Sequence, residues 1–238
     1  MAINNAVNAG FPFNQIAVQV FTSSGTYTPT SGMRYCIVEC VGGGGGSGAV
    51  PDTTAPSAVA SSAGGGGGYC RKTFNSTQVT SATVNIGSAG TGGISPNGNG
   101  GNGGNTTFIA SPSSITLTAS GGSGGSSNTA QTALGFNGVG GGGGGGASGG
   151  DVNIAGQKAS DGSYTIVSTS PFFISASGSV GGSSMLGKGG AWKAPGSSNY
   201  ASASGFGAGA GSNVSFNQAA SAGGNGTQGI VIITEFLT

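Results

Sequence analysis

The chain has 238 residues, of which 55 are glycine, six are Lys or Arg, five are Asp or Glu and none is His. Its formal net charge of +1 gives no electrostatic reason to bind a nucleic acid or an acidic membrane surface. The lack of histidine excludes the catalytic classes that depend on it and argues against zinc, and no apolar run approaches the ~20 residues of a membrane helix. We therefore predict no nucleic acid, cofactor, metal or membrane insertion.

The chain is predicted to contain an N-terminal attachment arm, residues 1–14, followed by one glycine-rich β domain, residues 15–238. The arm has no Lys or Arg and no long apolar core, so we expect no signal peptide and synthesis in a cytoplasm. The glycine runs are expected to be ordered, because disordered chains usually carry net charge and few β-branched residues, whereas this one is nearly neutral and rich in Val, Ile and Thr.

β-Branched and aromatic residues predict a series of short strands in chain order. The two strongest are RYCIVECV (34–41) and GIVIITEF (229–236). Other strands are expected at 15–22, 26–30, 69–74, 82–86, 106–110, 115–119, 151–155, 164–168 and 172–176. No stretch has helical periodicity, so the predicted fold is all-β with almost no helix, a glycine-rich β-sandwich or jelly-roll-like domain.

Glycine runs separate these strands, and the longest pure run is 140–146. Two explanations account for them. The runs form polyglycine II helices with about three residues per turn, which pack side by side and bond backbone to backbone, or they form glycine-rich loops above a β-sandwich. Both explanations predict a rigid scaffold from which the non-glycine segments project.

Three cysteines are present, Cys36, Cys40 and Cys70. In a strand, Cys36 and Cys40 share a face but lie roughly 13 Å apart, too far for a disulfide. We predict that all three are small buried apolar residues, and a bridge from Cys36 or Cys40 to Cys70 stays open.

An ordered series of motifs carries a family resemblance. These are AVQVFTSSGTYTPTSGMRYCIVECVGGGGGSG (17–48), GGGGGYCRKTF (64–74), NGGNTTF (102–108), GGGGGGASGGDVNIAGQ (141–157), GGSSMLGKGG (181–190), GFGAGAGS (205–212) and GNGTQGIVIITEF (224–236). Over residues 15–238 the chain resembles the glycine-rich C-terminal receptor-binding domain of bacteriophage tail-fibre proteins. More loosely, it is similar to the distal adhesins of large myophages, in which polyglycine II motifs form a framework and the segments between them form receptor-binding loops.

The resemblance implies a virion protein at the tip of a tail fibre that binds a bacterial outer-membrane protein or lipopolysaccharide, attaches to other tail-fibre or virion proteins and assembles as a homotrimer. A structural virion component, such as a capsid decoration or a fibre cap, is the alternative. An ice-binding role is disfavoured because the sequence lacks a regular tripeptide repeat.

Receptor contacts are expected in the non-glycine segments 49–63, 126–137, 157–177 and 191–204, because binding residues concentrate on loops held by a rigid scaffold. Aromatic and cationic side chains suit recognition of a glycan or a protein loop. The candidate contact residues are Trp192, Lys193, Tyr200, Lys188, Phe172, Phe173, Tyr164 and Phe136. If Trp192 contacts a receptor, Trp192→Ala abolishes adsorption and barely changes the melting temperature; loss of both places it in the core.

No catalytic residue is predicted, and the chain is not expected to be an enzyme. Glycoside hydrolases use two carboxylates about 5–9.5 Å apart. Glu39 and Glu235 lie in predicted strands and are expected to pair with Arg34 or a lysine. Asp151 and Asp161 are the closest-spaced acids outside the strong strands, which is weak support for a catalytic pair.

Overall fold

The computed structural model describes residues 15–132, 134–169, 172–194 and 202–238. These residues form strands, turns and extended segments without a helix, which confirms the all-β prediction. Accordingly, nothing in these ranges is a helix that could cross a membrane. The predicted arm at 1–14 lies outside the described residues.

All eleven predicted strands are present in the described residues, with six more that were not predicted. They are β1 (Gln15–Phe21), β2 (Gly25–Tyr27), β3 (Met33–Val41), β4 (Thr53–Ala60), β5 (Tyr69–Asn75), β6 (Val79–Asn85), β7 (Thr106–Pro112), β8 (Thr116–Ala119), β9 (Gly135–Val139), β10 (Ala147–Ser148), β11 (Val152–Ile154), β12 (Gly162–Thr169), β13 (Phe172–Ser177), β14 (Gly187–Lys188), β15 (Ser204–Gly205), β16 (Val214–Gln218) and β17 (Ile230–Leu237).

Two five-stranded sheets pack face to face as a β-sandwich. Their strand orders are β1-β17-β3-β5-β11 and β10-β8-β7-β6-β2. Alternate residues point inward, as strand geometry requires, and the buried core includes Tyr27, Phe74, Phe108, Leu117 and Ile233. The rings of Phe74 and Phe108 lie 5.5 Å apart. The sandwich is therefore held by an ordinary apolar core.

The glycine runs form a second, different layer. Segment 42–50 continues directly from β3, and each of its amides donates to a neighbouring segment, with a partner that repeats every third residue. The acceptors lie in segments 62–68, 98–104 and 221–227, all antiparallel to it. The amides of Gly42, Gly45 and Gly48 donate to Gly68, Gly65 and Ser62. Those of Gly43, Gly46 and Ala49 donate to Gly104, Gly101 and Gly98. Those of Gly44, Ser47 and Val50 donate to Thr227, Gly224 and Ser221, and all nine distances are 2.8–3.0 Å.

The carbonyl groups of segment 42–50 bond to three further segments. Gly122 and Gly125 donate to Gly43 and Gly46, Gly90 and Gly93 donate to Gly44 and Ser47, and Ala210 donates to Gly45. Segment 42–50 thus lies among three donor-side and three acceptor-side neighbours, with a repeat of three residues per turn, which is the geometry of polyglycine II. The structure therefore shows the packed bundle and not a set of loops above a sandwich. We call this layer the glycine lattice.

Contact between these backbones leaves no room for side chains at the centre of the lattice. A Cβ added at Gly45 would lie 2.1 Å from the carbonyl oxygen of Ser123, and one at Gly44 would lie 2.1 Å from that of Ala208. Both segment 42–50 and segment 61–68 are buried throughout. The absence of a Cβ is thus a packing requirement at these positions.

Side chains replace missing neighbours at the edge of the lattice. The Oδ1 atoms of Asn99, Asn102 and Asn105 accept the backbone N–H groups of Ser127, Gly124 and Gly121 at 2.8, 2.8 and 3.0 Å. These asparagines recur every third residue, in step with the polyglycine II turn. Outer segments therefore complete their hydrogen bonds with amide side chains, which explains why asparagine is interspersed with glycine there.

The lattice separates two ends of the molecule. β3, β6 and β8 run from the sandwich into segments 42–50, 87–93 and 120–127, and these three segments run parallel to one another. The far end, called here the distal end, carries a three-stranded sheet, β13-β12-β9, and the pair β16-β4. A second core lies among them, formed by Ala58, Ala60, Val139, Tyr164, Ile166 and Val214.

Candidate functional site

The non-glycine segments chosen from the sequence meet at the distal end. β4 lies in segment 49–63, β9 follows from segment 126–137, and β12 and β13 lie in segment 157–177. The first part of segment 191–204 joins them, since Trp192 packs against the second core. The lattice gathers these segments because its rows alternate in direction, so that every second connection emerges at the same end.

The outer face of the distal sheet is apolar and exposed. Phe136 of β9 is 72% exposed, Val167 of β12 is 62% exposed and Phe173 of β13 is 59% exposed. Phe136 pairs with Thr165, which pairs with Ser175 on the other side. Tyr164 and Ile166 alternate with Thr165 and point into the second core. Thr165 and the residues on the same side of the sheet therefore point outward. We call Phe136, Thr165, Val167, Phe173 and Ser175 the distal face.

The distal face is uncharged. The sequences of β9, β12 and β13 are GFNGV, GSYTIVST and FFISAS, without Asp, Glu, Lys or Arg. The charged pair before β12 is Lys158–Asp161, at 2.8 Å, and the hydrogen bond from Lys158 lowers the pKa of the Asp161 carboxyl. A polar cleft of about 140 Å³, lined by Asn128, Gln131, Asn137 and Tyr164 among others, flanks the sheet. Aromatic contact and neutral hydrogen bonding are the chemistry on offer.

Trp192 packs in the interior, which was the alternative to a receptor contact. Its side chain is half-buried against the second core. A Cβ added at Gly178 would lie 2.4 Å from the Cβ of Trp192, so the tryptophan packs directly on that glycine. Lys193 is also half-buried, and its ammonium donates to the Ser221 hydroxyl at 3.2 Å. We now expect Trp192→Ala to lower the melting temperature, while a receptor contact by Trp192 or Lys193 stays a prediction.

The remaining candidates are not brought together. Tyr164 is 3% exposed, and burial raises the pKa of its hydroxyl, so its ring belongs to the second core and not to the distal face. Lys188 lies in β14, at the sandwich end of the segment that leads to Trp192. Tyr200 lies outside the described residues, as does the side chain of Phe172. Phe136 and Phe173 are thus the predicted residues that share one surface, and Val167, which we did not predict, completes it.

The carboxylates also differ from expectation. Glu235 is fully buried, and instead of a cation it has the Tyr27 hydroxyl at 2.7 Å, the Thr30 amide at 2.9 Å and the Thr30 hydroxyl at 2.5 Å. Burial acts to raise the pKa of Glu235, but these hydrogen bonds outweigh it and the pKa lies below its usual value. Glu39 accepts a hydrogen bond from the Tyr69 hydroxyl at 2.6 Å. The expected pairing of both with Arg34 or lysine was therefore wrong for Glu235.

Asp151 and Asp161 lie at opposite ends of the lattice, and each is paired with its own lysine. Asp151 bonds to Lys72 at 2.7 Å beside the sandwich, whereas Asp161 lies at the distal end. They do not form the close carboxylate pair of a glycoside hydrolase. No group of His, Cys, Asp and Glu within the described ranges has a metal-binding arrangement.

The cysteines are free and buried, as predicted. Cys36 and Cys40 both point into the sandwich core. Cys40 lies directly opposite Cys70 where β3 pairs with β5. Of the two possible bridges to Cys70, from Cys36 or from Cys40, the register therefore favours Cys40, but both residues are free thiols. Burial raises the pKa of the Cys36 thiol to about 11, which keeps it protonated.

Comparison with known proteins gives one informative result. No curated protein matches the chain. The model of a family described as a glycine-rich domain matches residues 20–235, from β1 almost to the end of β17. That span includes the sandwich, the glycine lattice and the distal sheet, and the chain belongs to this glycine-rich domain family.

Proposed function

We propose that the protein is the receptor-binding tip of a bacteriophage tail fibre, which contacts the bacterial surface through its distal face. The observation that carries the proposal is the division of the molecule into two ends. The non-glycine segments gather at the distal end, and the first and last strands described, β1 and β17, are paired at the other. Such a layout leaves one end free to contact a partner while the other is attached to a particle.

The rigidity of the lattice supports binding at the distal end. A surface that is already ordered loses less conformational entropy on binding than a flexible loop does. Phe136 and Phe173 stand on paired strands, supported from below by the buried Tyr164 and Ile166. Exposed aromatic residues on a rigid base are typical anchors of protein interfaces.

The charge of the distal face favours a protein receptor over lipopolysaccharide. Proteins bind the phosphate groups of a ligand such as lipopolysaccharide mainly through Arg and Lys, and the distal face has neither. Its aromatic and hydroxyl groups suit an uncharged, partly apolar surface, such as an extracellular loop of an outer-membrane protein. Of the two receptor classes that the resemblance implies, we propose the protein.

The test is binding of the labelled full-length chain to bacteria from a panel of strains with single envelope defects. We expect binding to whole cells that is lost when one outer-membrane protein is deleted and retained when lipopolysaccharide is truncated. The double variant F136A/F173A is expected to bind at least about tenfold more weakly, because aromatic anchors that become buried on binding dominate interface energetics.

Ile109→Ala provides a matched control, because Ile109 is 40% exposed on the sandwich and far from the distal face. It should leave cell binding unchanged. Loss of binding on lipopolysaccharide truncation would identify a glycan receptor instead. A chain that binds virion proteins and no cell of the phage's host would be a structural virion component, the alternative function.

A further inference from the structure

The four edges of the β-sandwich are not protected equally. Natural sheets blunt their edges with short strands or charges, because an open edge pairs readily with another chain. β2 and β10 are three and two residues long. β11 has three residues, and the Lys72–Asp151 ion pair lies beside it. β1 has seven residues, and its sequence QIAVQVF contains neither charge nor proline.

The outward side chains of β1 are also apolar. Ile16, Val18 and Val20 are 65%, 57% and 55% exposed. Ala17 and Phe21 point the other way and pack against the sandwich core. Within the described part of the chain, β1 pairs along one edge with β17, with continuous register and no bulge. A straight, uncharged edge strand with three exposed β-branched side chains is a complete template for another strand.

The pattern of β1 is complementary to itself. In an antiparallel pair of two copies centred on Val18, Val18 faces its own copy and Ile16 faces Val20 of the other chain. Ala17 then faces Gln19, so that no charge is buried and the apolar residues of both strands lie on one face. This is the residue arrangement of an isologous twofold interface, in which the same surface is used by both copies.

We infer that the protein self-associates through β1, as a twofold dimer in which the two β1 strands pair antiparallel about Val18 and join the two five-stranded sheets. Once two copies have paired through β1, neither has a free β1 edge for a third copy. The assembly is therefore a dimer and not the homotrimer that the tail-fibre resemblance implies. Because β1 lies in the sandwich, pairing there leaves both distal faces open. The inference concerns this surface alone and holds whether or not the distal face binds a receptor.

Light scattering coupled to size exclusion tests the inference on the full chain at micromolar concentration. We expect a mass twice the 22.2 kDa of the single chain. Val18→Lys places two ammonium groups opposite each other at the twofold axis and should weaken the dimer on the order of 100-fold. Val167→Lys is the matched control, since Val167 is a strand residue with similar exposure at the distal end, and it should leave the dimer intact.

A crosslink checks the register independently of any change in stability. Val18→Cys should join two chains under mild oxidation with diamide, because a residue on the twofold axis pairs with its own copy, and Val167→Cys should not. A monomeric or trimeric wild-type protein would overturn the inference. So would a dimer that Val18→Lys leaves unchanged, or one in which Val18→Cys fails to crosslink.

Discussion

The centre of the glycine lattice and the core of the β-sandwich are both buried, but they are held by opposite means. In the sandwich, Phe74, Phe108 and their neighbours fill the interior with side chains. In segment 42–50, the interior is backbone, and the amides and carbonyls bond to neighbours on all sides. The sandwich gains stability from apolar area removed from water. The lattice bonds the buried amides of segment 42–50 to neighbouring backbones without an apolar core, so its stability depends on close approach and not on side-chain volume.

This difference predicts opposite responses to side-chain size. Gly45→Ala adds one methyl group 2.1 Å from a carbonyl oxygen of Ser123, and backbone cannot rotate out of the way as a side chain can. We expect a loss of at least ~4 kcal/mol in the free energy of unfolding, or failure to fold, measured by denaturant titration.

Gly146→Ala is the control for this prediction, because nothing lies within 4 Å of a Cβ at that glycine. It should change stability by less than about 1 kcal/mol, on the stabilising side, since alanine restricts the unfolded chain. If the two substitutions have equal effects, the close packing at segment 42–50 is absent in solution.

In the sandwich, removal of volume should be the costly change. Phe108 is fully buried and contacts Phe74 and Tyr27, with ring centroids 5.5 and 5.8 Å apart. Phe108→Ala is expected to lower the free energy of unfolding by about 3–4 kcal/mol. Ile109→Ala, on the outer face of the same strand, should cost less than about 1 kcal/mol. A small effect of Phe108→Ala would mean that the lattice alone determines stability.

The buried carboxylate of Glu235 should make the sandwich sensitive to acid. Its folded pKa is depressed, so its contribution is present above the unfolded pKa and is lost as the pH falls through the folded value. Glu235→Gln replaces an acceptor with an amide group that faces the donors of Tyr27 and Thr30, and should cost about 2 kcal/mol at neutral pH.

The difference between wild type and Glu235→Gln should shrink in acid, as followed by thermal melts across a pH series. Glu39→Gln is the control, since Glu39 lies on the outer side of the same sheet and is half-exposed. A gap between wild type and Glu235→Gln that stays constant with pH would show that the carboxylate is not ionised in the folded protein.

The smallest expected effect tests the lattice edge. Asn102→Ala leaves the Gly124 amide without its side-chain acceptor and should cost about 1 kcal/mol, because this amide can reach water. The triple replacement of Asn99, Asn102 and Asn105 should cost about three times as much, since the three bonds are separate. A triple variant as stable as the single one would argue against their role as substitutes for a missing segment.

The strands were largely predictable from the sequence, but the arrangement of the glycine runs was not. β3 and β17 are rich in β-branched residues, and that local signal is sufficient. Six strands were missed: β10, β14 and β15 have only two residues each, and Pro56, Gly135 and Asn217 interrupt the patterns of β4, β9 and β16, which long-range pairing forms, as between β4 and β16. The longest pure run, 140–146, lies near the edge and is partly exposed, whereas segment 42–50 is central. Position in the lattice depends on the order of neighbours, which glycine content does not encode.

The candidate site was predictable to the level of segments and not of faces. Turn and glycine patterns separated the four non-glycine segments, and the structure brings them to one end. Aromatic residue type does not tell whether a ring is buried or exposed, so Tyr164 and Trp192 were grouped with the exposed Phe136 and Phe173. Period-two alternation in β12, with Tyr164 and Ile166 against Thr165, was the signal that could have separated them.

Native-state hydrogen exchange at the glycine amides tests the lattice most directly. If segments 42–50 and 61–68 are the bonded centre of the molecule, their amides should exchange as slowly as those of β3 and β5 and only through global unfolding. Exchange of these glycine amides at rates close to those of an unfolded chain, while β3 and β5 stay protected, would contradict the lattice and leave the distal face without its rigid support.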